Sequence, residues 1–424
     1  MEMNRTALAE KAHITLVPQT KFKSNRIDVC FITPLDKATA SDNALVFSVL
    51  PRATEKFGST KEVRVALEQM YDLDLGTRVF KLGDAQVLDL SFSFINDRYA
   101  LDGESILDGT LALLREFLLC PKKENGLFVS EYVESEKKKL IDAEMAVINN
   151  KGRYASIRMQ SEMCKGEPFE ISENGSVESI AAATPASVTA AYERLLSSAQ
   201  IEICATGDMD ENKVKAFFAD MLSGIERKNI PEISTIVKRE AREKVNYVYE
   251  HQSVTQGKLS LGFRTGVCVT DANAYVMQVL CYVFGAGPTS KLFMNVREKL
   301  SLCYYCSASL NMQKGFMSVN SGILFENEKK TVDEIMHQLS DVQNGNITDA
   351  ELDNAKKSIV NSYLTVFDSE SSIFGFILNS IMNDKFETIE EKAAKINSVT
   401  KDEISEMAKG IKLDTYYFLC GEEK

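Results

Sequence analysis

Side chains that could bind a metal are few in this sequence, and they lie far apart. The histidines are His13, His251 and His337, and none of them has a second ligand at a suitable spacing. Cys303 and Cys306 form a Cys-x-x-Cys pair, but a zinc ribbon needs a second pair, which the chain lacks. A redox pair would need a helix start beside it, which the sequence does not indicate. We therefore predict that this chain alone holds no metal.

The most distinctive string of the chain is FGAGPTSKLFMNVREKLSLCYY, residues 284–305. Gly285 and Gly287 form a G-x-G, yet the third glycine and the later acidic residue of a dinucleotide fingerprint are missing. The glycines indicate a turn, and Pro288 suits the first turn of a following helix. The string therefore predicts a turn and a helix, without nucleotide binding.

The two halves of the chain resemble each other. Two pairs of segments align without gaps at one offset of 219 residues, and a third pair aligns at 232. The pairs are NGLFVSEYVESEKKK (125–139) with NGNITDAELDNAKKS (344–358), MQSEM (159–163) with LNSIM (378–382), and RIDVCFIT (26–33) with KLSLGFRT (258–265). In the first pair, Ser130 and Asp349 stand where a helix N-cap belongs. These matches predict a duplication.

Each copy has the order strand, helix, strands, long helices, which is typical of an α+β fold. RIDVCFIT and QVLDLSFSFI (86–95) alternate as strands do, whereas residues 128–148 have a helical pattern. We predict two homologous domains, each an open mixed or antiparallel sheet covered by helices. The predicted boundaries are 1–225 for the first domain, 226–244 for a polar, solvated linker and 245–424 for the second domain.

Composition narrows the class of partner. The chain has 424 residues and a formal net charge of −12, which argues against nucleic acid or an anionic membrane surface as a partner. Its apolar runs are shorter than the roughly 18 residues of a membrane span, and the N-terminus lacks the apolar core of a signal peptide. Nine scattered cysteines favour reduced thiols, so we expect a cytoplasmic protein.

The duplication and the string at 284–305 resemble the insulinase/pitrilysin family of zinc peptidases. The resemblance covers nearly the whole chain and is closest to short, two-domain members related to mitochondrial processing peptidase. It implies the LuxS/MPP-like metallohydrolase fold. In that family the first domain carries H-x-x-E-H on a helix, whose histidines share a face and bind zinc while the Glu acts as general base.

The resemblance places this motif on a stretch without ligands. With Arg52-Ala53-Thr54 as the counterpart of the following loop, the two histidine positions fall on Ala44 and Ser48, and the Glu position falls on Phe47. The nearest counterpart of the third ligand is Glu144, at a longer spacing than usual. We expect Ala44, Phe47 and Ser48 to form a packed helix face, and Glu144 to be an ordinary helix residue.

The resemblance also assigns roles in the second half. There the counterparts of Arg297 and Tyr304 bind a substrate carbonyl and donate to the oxyanion of the tetrahedral intermediate, tasks that a planar guanidinium and a fixed hydroxyl suit. The alternative is that Arg297 makes a surface ion pair and Tyr304 only begins a strand.

A chain without the metal motif but with the substrate motif is expected beside a second chain. The resemblance therefore implies a non-catalytic subunit of a heterodimeric zinc metallopeptidase, with peptide as substrate, zinc in the homologous partner and no cofactor in this chain. One alternative is a purely structural or scaffold descendant of the peptidase. Another is a homodimer that binds peptides without cleaving them.

Overall fold

The structure is a computed structural model that describes residues 4–101 and 103–421. Its strands are β1 (Asn4–Ala9), β2 (Ala12–Pro18), β3 (Ser24–Pro34), β4 (Asp74–Leu82), β5 (Ala85–Ile95), β6 (Lys123–Glu124), β7 (Leu127–Phe128), β8 (Gln200–Gly207), β9 (Asn246–His251), β10 (Gly257–Arg264), β11 (Cys303–Asn311), β12 (Phe316–Ile323) and β13 (Lys412–Cys420).

The α-helices are α1 (Ala40–Val49), α2 (Thr60–Gln69), α3 (Ile106–Leu119), α4 (Ser130–Ala146), α5 (Lys151–Met163), α6 (Val177–Ala182), α7 (Pro185–Ser198), α8 (Glu211–Ser223), α9 (Ala274–Cys281), α10 (Glu328–Gln343), α11 (Asp349–Leu364), α12 (Glu370–Met382), α13 (Ile389–Ser398) and α14 (Lys401–Ala408). Two segments are π-helical, Tyr282–Ala286 and Leu292–Lys299. Short 3-10 helices span Leu50–Arg52, Asp97–Tyr99, Val147–Asn149, Pro168–Glu170, Phe325–Asn327 and Thr365–Asp368. In the described ranges, no helix is long and apolar enough to cross a membrane.

The chain forms two compact units, and each unit contains a helix from the other half of the sequence. Unit 1 comprises the chain up to Met145 together with Ile171–Ser234 and Phe367–Ile381. Unit 2 comprises Ala146–Glu170, Thr235–Val366 and the chain from Met382 onwards. The exchanged helices are α5 and α12, which carry the matching segments MQSEM and LNSIM. The domain boundaries predicted from the sequence repeat, 1–225, 226–244 and 245–424, remain a prediction.

Unit 1 is built on a six-stranded sheet in the order β1-β2-β8-β3-β5-β4. β2 and β8 run parallel, and the other neighbours are antiparallel. α1, α3, α7 and α8 contribute apolar side chains to one core with the strands. Removing this apolar surface from water is the main force that holds the helices to the sheet.

Unit 2 repeats the plan with a five-stranded sheet in the order β11-β12-β10-β13-β9. β9 and β13 are parallel, and the other neighbours are antiparallel. One core joins the strands to α9, α10 and α14, while Met159 and Met163 of α5 lie in a second core with Phe316 and Tyr417. Gly262 permits this contact, since a Cβ there would lie 2.6 Å and 2.7 Å from the two methionine sulfur atoms.

The predicted α+β class with two similar sheet-and-helix domains is therefore confirmed. The N-cap of α11 is Thr348, one residue before the predicted Asp349, because the Thr348 side chain accepts from Glu351 N and Glu351 accepts in return from Thr348 N.

Residues 226–242 have no helix or strand, but they are not simply solvated. Arg227 donates to Leu196 O at 2.8 Å, and Arg242 N donates to Asp414 at 3.0 Å.

Candidate functional site

The three positions of the expected zinc motif lie on α1 in unit 1, and two of them are core residues. Ala44 is 1% exposed and Phe47 is 2% exposed. The Phe47 ring packs edge-on against Phe31 of β3, with ring centroids 5.7 Å apart. Ser48 is half-buried, and its hydroxyl donates to Ala44 O at 3.1 Å, one turn earlier. This face of α1 therefore offers no set of metal ligands, and it does not fit a zinc ion.

Glu144, the counterpart of the third ligand, lies near the end of α4. Its carboxylate accepts a hydrogen bond of 2.8 Å from Asn174 Nδ2, in the segment before α6. Throughout residues 4–101 and 103–421, no group of three or more His, Cys, Asp or Glu side chains is arranged to hold a metal ion. Glu144 thus behaves as a hydrogen-bonded helix residue.

The start of α1 is held by buried polar contacts that the sequence reading missed. Asn43 Nδ2 donates to Gln86 Oε1 at 2.9 Å, and Arg194 donates to Asn43 Oδ1 at 2.8 Å. Gln86 Nε2 in turn donates to the carbonyl of Ala40 at 3.0 Å. An amide inside an otherwise apolar helix face was the available signal, since a buried amide must find partners. These bonds fix α1 against β5 and α7.

A second missed feature is the buried carboxylate of Glu136 on α4. Arg52 forms an ion pair with Glu136, and Lys139 donates to the same oxygen at 2.7 Å. The Arg52 guanidinium also lies 5.1 Å from the centroid of the Tyr132 ring. The 3-10 helix after α1 is thereby tied to α4 by charge and by stacking, which is a structural role.

Two buried carboxylates lie side by side on the other face of the unit 1 sheet. Asp28 pairs with Arg26 at 2.6 Å, and Asp89 pairs with Arg78 at 2.7 Å. Burial, with the neighbouring Asp89 charge, raises the pKa of Asp28 to about 7, and burial also raises the pKa of Asp89. Cys30 Sγ lies 3.5 Å from Asp89 Oδ1, to which it donates. The sequence pattern identified the two strands but not this buried pair of carboxylates.

In unit 2 the two motif glycines are packing positions, and neither has a positive φ. A Cβ on Gly285 would lie 2.7 Å from both Ala308 Cβ and Leu292 Cδ1. A Cβ on Gly287 would lie 3.2 Å from Tyr282 O. The absence of a side chain at Gly285 thus lets the first π-helical segment pack closely against β11. The predicted turn comes after this π-helical segment.

Arg297 and Tyr304 line one groove of about 470 Å³ in unit 2. The Arg297 side chain is 42% exposed, stacks on Phe293 at 4.7 Å and lies 3.5 Å from its neighbour Glu298. Tyr304 is 68% exposed. Its hydroxyl has no hydrogen-bond partner within the described part of the chain, so it can donate to a ligand. The structure therefore brings these two predicted residues together.

A β-bulge sets Tyr304 apart from the regular pairing of its strand. Cys303 is opposite Ile323 and Tyr305 is opposite Gly322, so Tyr304 is an extra residue without a partner on β12. The loop before it turns through Ser301, whose φ of 50° is in the left-handed region. Bulges re-aim side chains in this way, and the sequence gives no signal for one here.

The Cys-x-x-Cys pair flanks the same bulge. The neighbouring Cys306 thiol lowers the pKa of Cys303, and the Ser321 hydroxyl and the Arg297 guanidinium act in the same direction. The pKa of Cys306 is raised by its hydrogen bond to Cys303 and by burial. Cys303 therefore has the greater thiolate character of the two, and it lines the groove.

Comparisons with known proteins agree with this arrangement. The family model for the peptidase M16 inactive domain matches residues 182–359. The probable inactive metalloprotease YmfF of Bacillus subtilis (strain 168) is 32% identical over 414 residues, which are 97% of this chain and 96% of the relative. A conserved protein from Enterococcus faecalis V583 has a TM-score of 0.93 at 29% identity, with both chains covered completely.

A more distant structure shares the fold alone. The periplasmic protease PqqL from Escherichia coli has a TM-score of 0.73 at 16% identity, and this chain covers 47% of its length. The long match to YmfF confirms the family that the sequence motifs indicated. The chain therefore belongs to the peptidase M16 family, as a homologue of its inactive peptidases.

Proposed function

We propose that this chain is the non-catalytic subunit of a heterodimeric peptidase and contributes peptide-binding residues to a partner that carries H-x-x-E-H. The observation that carries the proposal is a contrast between the two motifs. Ala44 and Phe47 are buried in a core, whereas Arg297 and Tyr304 are exposed together in one groove. A purely structural descendant would need Arg297 only for its surface ion pair with Glu298 and Tyr304 only as part of the start of β11.

The groove suits the oxygen atoms of a peptide. The Arg297 guanidinium carries several N–H donors and always keeps its charge, so it can bind a substrate carbonyl. The Tyr304 hydroxyl is a single donor that can point at an oxygen on which negative charge develops. Zinc would belong to the partner, where it would activate water, because the corresponding positions of this chain do not fit the ion.

An extended peptide is the best-matched substrate. β11, which carries Tyr304, is an edge strand, so its outer backbone groups can pair with an added strand. Backbone pairing tolerates many side chains and requires an unfolded segment. We therefore expect short or unfolded peptides, rather than folded proteins, as ligands.

Two further observations support the partner and the location. This chain covers 47% of the PqqL protease. The same fold therefore also occurs in a protease that is about twice as long as this chain. In the described part of the chain, which includes all nine cysteines, no disulfide is formed, which favours a reducing compartment, and we propose the cytoplasm.

The test is reconstitution with a homologous peptidase that has an intact H-x-x-E-H motif. We expect the two chains to co-purify, and the mixture to cleave an unfolded peptide at least ten times faster than either chain alone. Arg297→Ala should reduce that gain, while Arg158→Ala, a change on α5 outside the groove, should not. A mixture that shows no association and no gain would favour the structural or homodimeric alternatives.

A further inference from the structure

A second and larger cavity in unit 2 lies where the first turn of α5 faces the sheet. Its volume is about 780 Å³. Strands β10, β11 and β12 contribute Lys258, Tyr305 and Asn320, and the first turn of α5 contributes Lys151 and Arg153. None of these residues belongs to the groove of Arg297 and Tyr304.

The cavity carries three positive charges and no carboxylate in its lining. Lys151 Nζ donates to Gln252 Oε1 at 2.7 Å, and Lys258 Nζ donates to Gln256, so both lysines bind neutral amides. Within the described residues, neither they nor Arg153 have a carboxylate at ion-pair distance. Three like charges around one cavity repel each other, and no carboxylate among the cavity's lining residues offsets them. A bound anion would relieve this repulsion.

Tyr305 occupies a position that two glycines leave open. A Cβ on Gly322 would lie 2.7 Å from Tyr305 Cε1, and a Cβ on Gly152 would lie 3.0 Å from the Tyr305 hydroxyl. Within residues 4–101 and 103–421, this hydroxyl has no hydrogen-bond partner. Burial raises the pKa of Tyr305, so the hydroxyl keeps its proton and remains a donor. The ring lies 5.8 Å from Lys258 Nζ.

We propose that this cavity binds the C-terminal carboxylate of a peptide, with Lys151, Arg153 and Lys258 as cations and the Tyr305 hydroxyl as a neutral donor. The volume is much larger than a single inorganic anion needs. Asn320 and the other asparagine side chains of the cavity lining supply donors and acceptors for peptide backbone groups. Tyr305 and Tyr304 are adjacent on β11, so one edge strand serves the groove and the cavity. The proposal rests on the peptide-binding part of the proposed function.

The experiment compares two forms of one extended decapeptide, a free acid and a C-terminal amide, by fluorescence anisotropy with the intact chain. A hydrogen-bonded ion pair supports a preference of about tenfold for the acid. The double variant Lys151→Gln, Lys258→Gln should lose most of this preference, because only Arg153 and the Tyr305 hydroxyl remain to bind the carboxylate. Lys356→Gln is the matched control, because Lys356 binds the backbone carbonyl of Asn397 in unit 2 and does not line the cavity. It should keep the preference.

The possible results separate the two proposals. Equal binding of acid and amide by the parent chain would overturn the carboxylate site but leave the proposed function standing. An acid preference that persists undiminished in the double variant would have the same consequence. Binding of neither form would contradict peptide binding as a whole. Inorganic phosphate should compete with the acid but not with the amide. Phosphate binding without an acid preference would show a free-phosphate site and overturn the carboxylate site, again without bearing on the proposed function.

Discussion

The Phe47 ring meets the Phe31 ring edge-on, with centroids 5.7 Å apart and planes at 67°. Because Phe47 is a core residue, truncation to Ala should leave a cavity between α1 and β3. We expect Phe47→Ala to lower the free energy of unfolding of unit 1 by about 3–5 kcal/mol. Chemical denaturation followed by circular dichroism measures this loss.

Ser48→Ala is the matched control on the same helix. It removes only a hydroxyl that donates to the backbone one turn earlier, so its effect should be within about 1 kcal/mol. If Phe47→Ala were as mild as Ser48→Ala, this face of α1 would not be core, and an open site there would have to be reconsidered.

Two glycines in helical segments should respond to alanine in opposite directions. Gly285→Ala forces a Cβ within 2.7 Å of Ala308 and Leu292, and such overpacking costs about 1–3 kcal/mol. Gly375 in α12 has no atom within 4 Å of its Cβ position, so Gly375→Ala should stabilise by about 0.4–1 kcal/mol. Thermal unfolding of both variants checks the prediction, and a loss at Gly375 would contradict it.

The buried aspartate pair predicts a pH dependence of stability. Because folding raises the pKa of Asp28 from 3.8 to about 7, the folded state binds this proton more tightly than the unfolded state. Stability from this group is therefore greatest below about pH 4 and decreases as the pH rises towards 7. Asp28→Asn should flatten that slope, whereas Asp74→Asn, on an exposed position of β4, should not. Denaturation midpoints between about pH 5 and pH 8 decide it, and equal slopes in all three proteins would be a contrary result.

Cys303 should be the cysteine that reacts fastest with iodoacetamide. It lines the groove, and its pKa is lowered chiefly by Cys306, so more of it is thiolate at neutral pH. Mass spectrometry of the alkylated chain should give a rate profile with a midpoint below 9.0, the ordinary value for the thiol. Cys306→Ala should move that midpoint upward. An unchanged midpoint in this variant would remove Cys306 as the cause.

The sequence predicted what depends on pattern and repetition. Alternation identified β3 and β5, and the paired segments at residues 125–139 and 344–358 identified α4 and α11. It also placed Arg297 and Tyr304 in one motif, and the structure places both at one groove. These features are local, or they are repeated along the chain.

The rest depends on contacts between distant residues. The bulge at Tyr304 arises from the register of β11 on β12, which a single strand does not encode. Asn43 and Gln86 meet only once α1 lies on β5. The cations of the larger cavity come from two segments about 100 residues apart, so Lys151 and Lys258 could not be grouped from the sequence.

In the reconstituted complex, the Tyr304 hydroxyl and the Arg297 guanidinium should affect different kinetic parameters. If its hydroxyl donates to the oxyanion, Tyr304→Phe should lower kcat by about 10²–10³-fold, because the hydrogen bond strengthens as charge develops. Assembly should be unaffected, since the side chain is exposed and only the hydroxyl is removed. Arg297→Ala should instead raise KM, as expected for a contact present in both the ground and the transition state. Steady-state kinetics with a labelled peptide measure both parameters.

Tyr247→Phe is the matched control for this comparison. Tyr247 is 60% exposed on β9, at the other edge of the same sheet, and its ring contacts Tyr416 at 5.1 Å. Loss of its hydroxyl should leave kcat and KM unchanged, so an effect confined to Tyr304 cannot come from a general loss of a tyrosine hydroxyl. If the Tyr304→Phe complex kept the parent kcat, the hydroxyl would have no part in the chemistry. This chain would then act as a scaffold whose groove binds substrate through Arg297 alone.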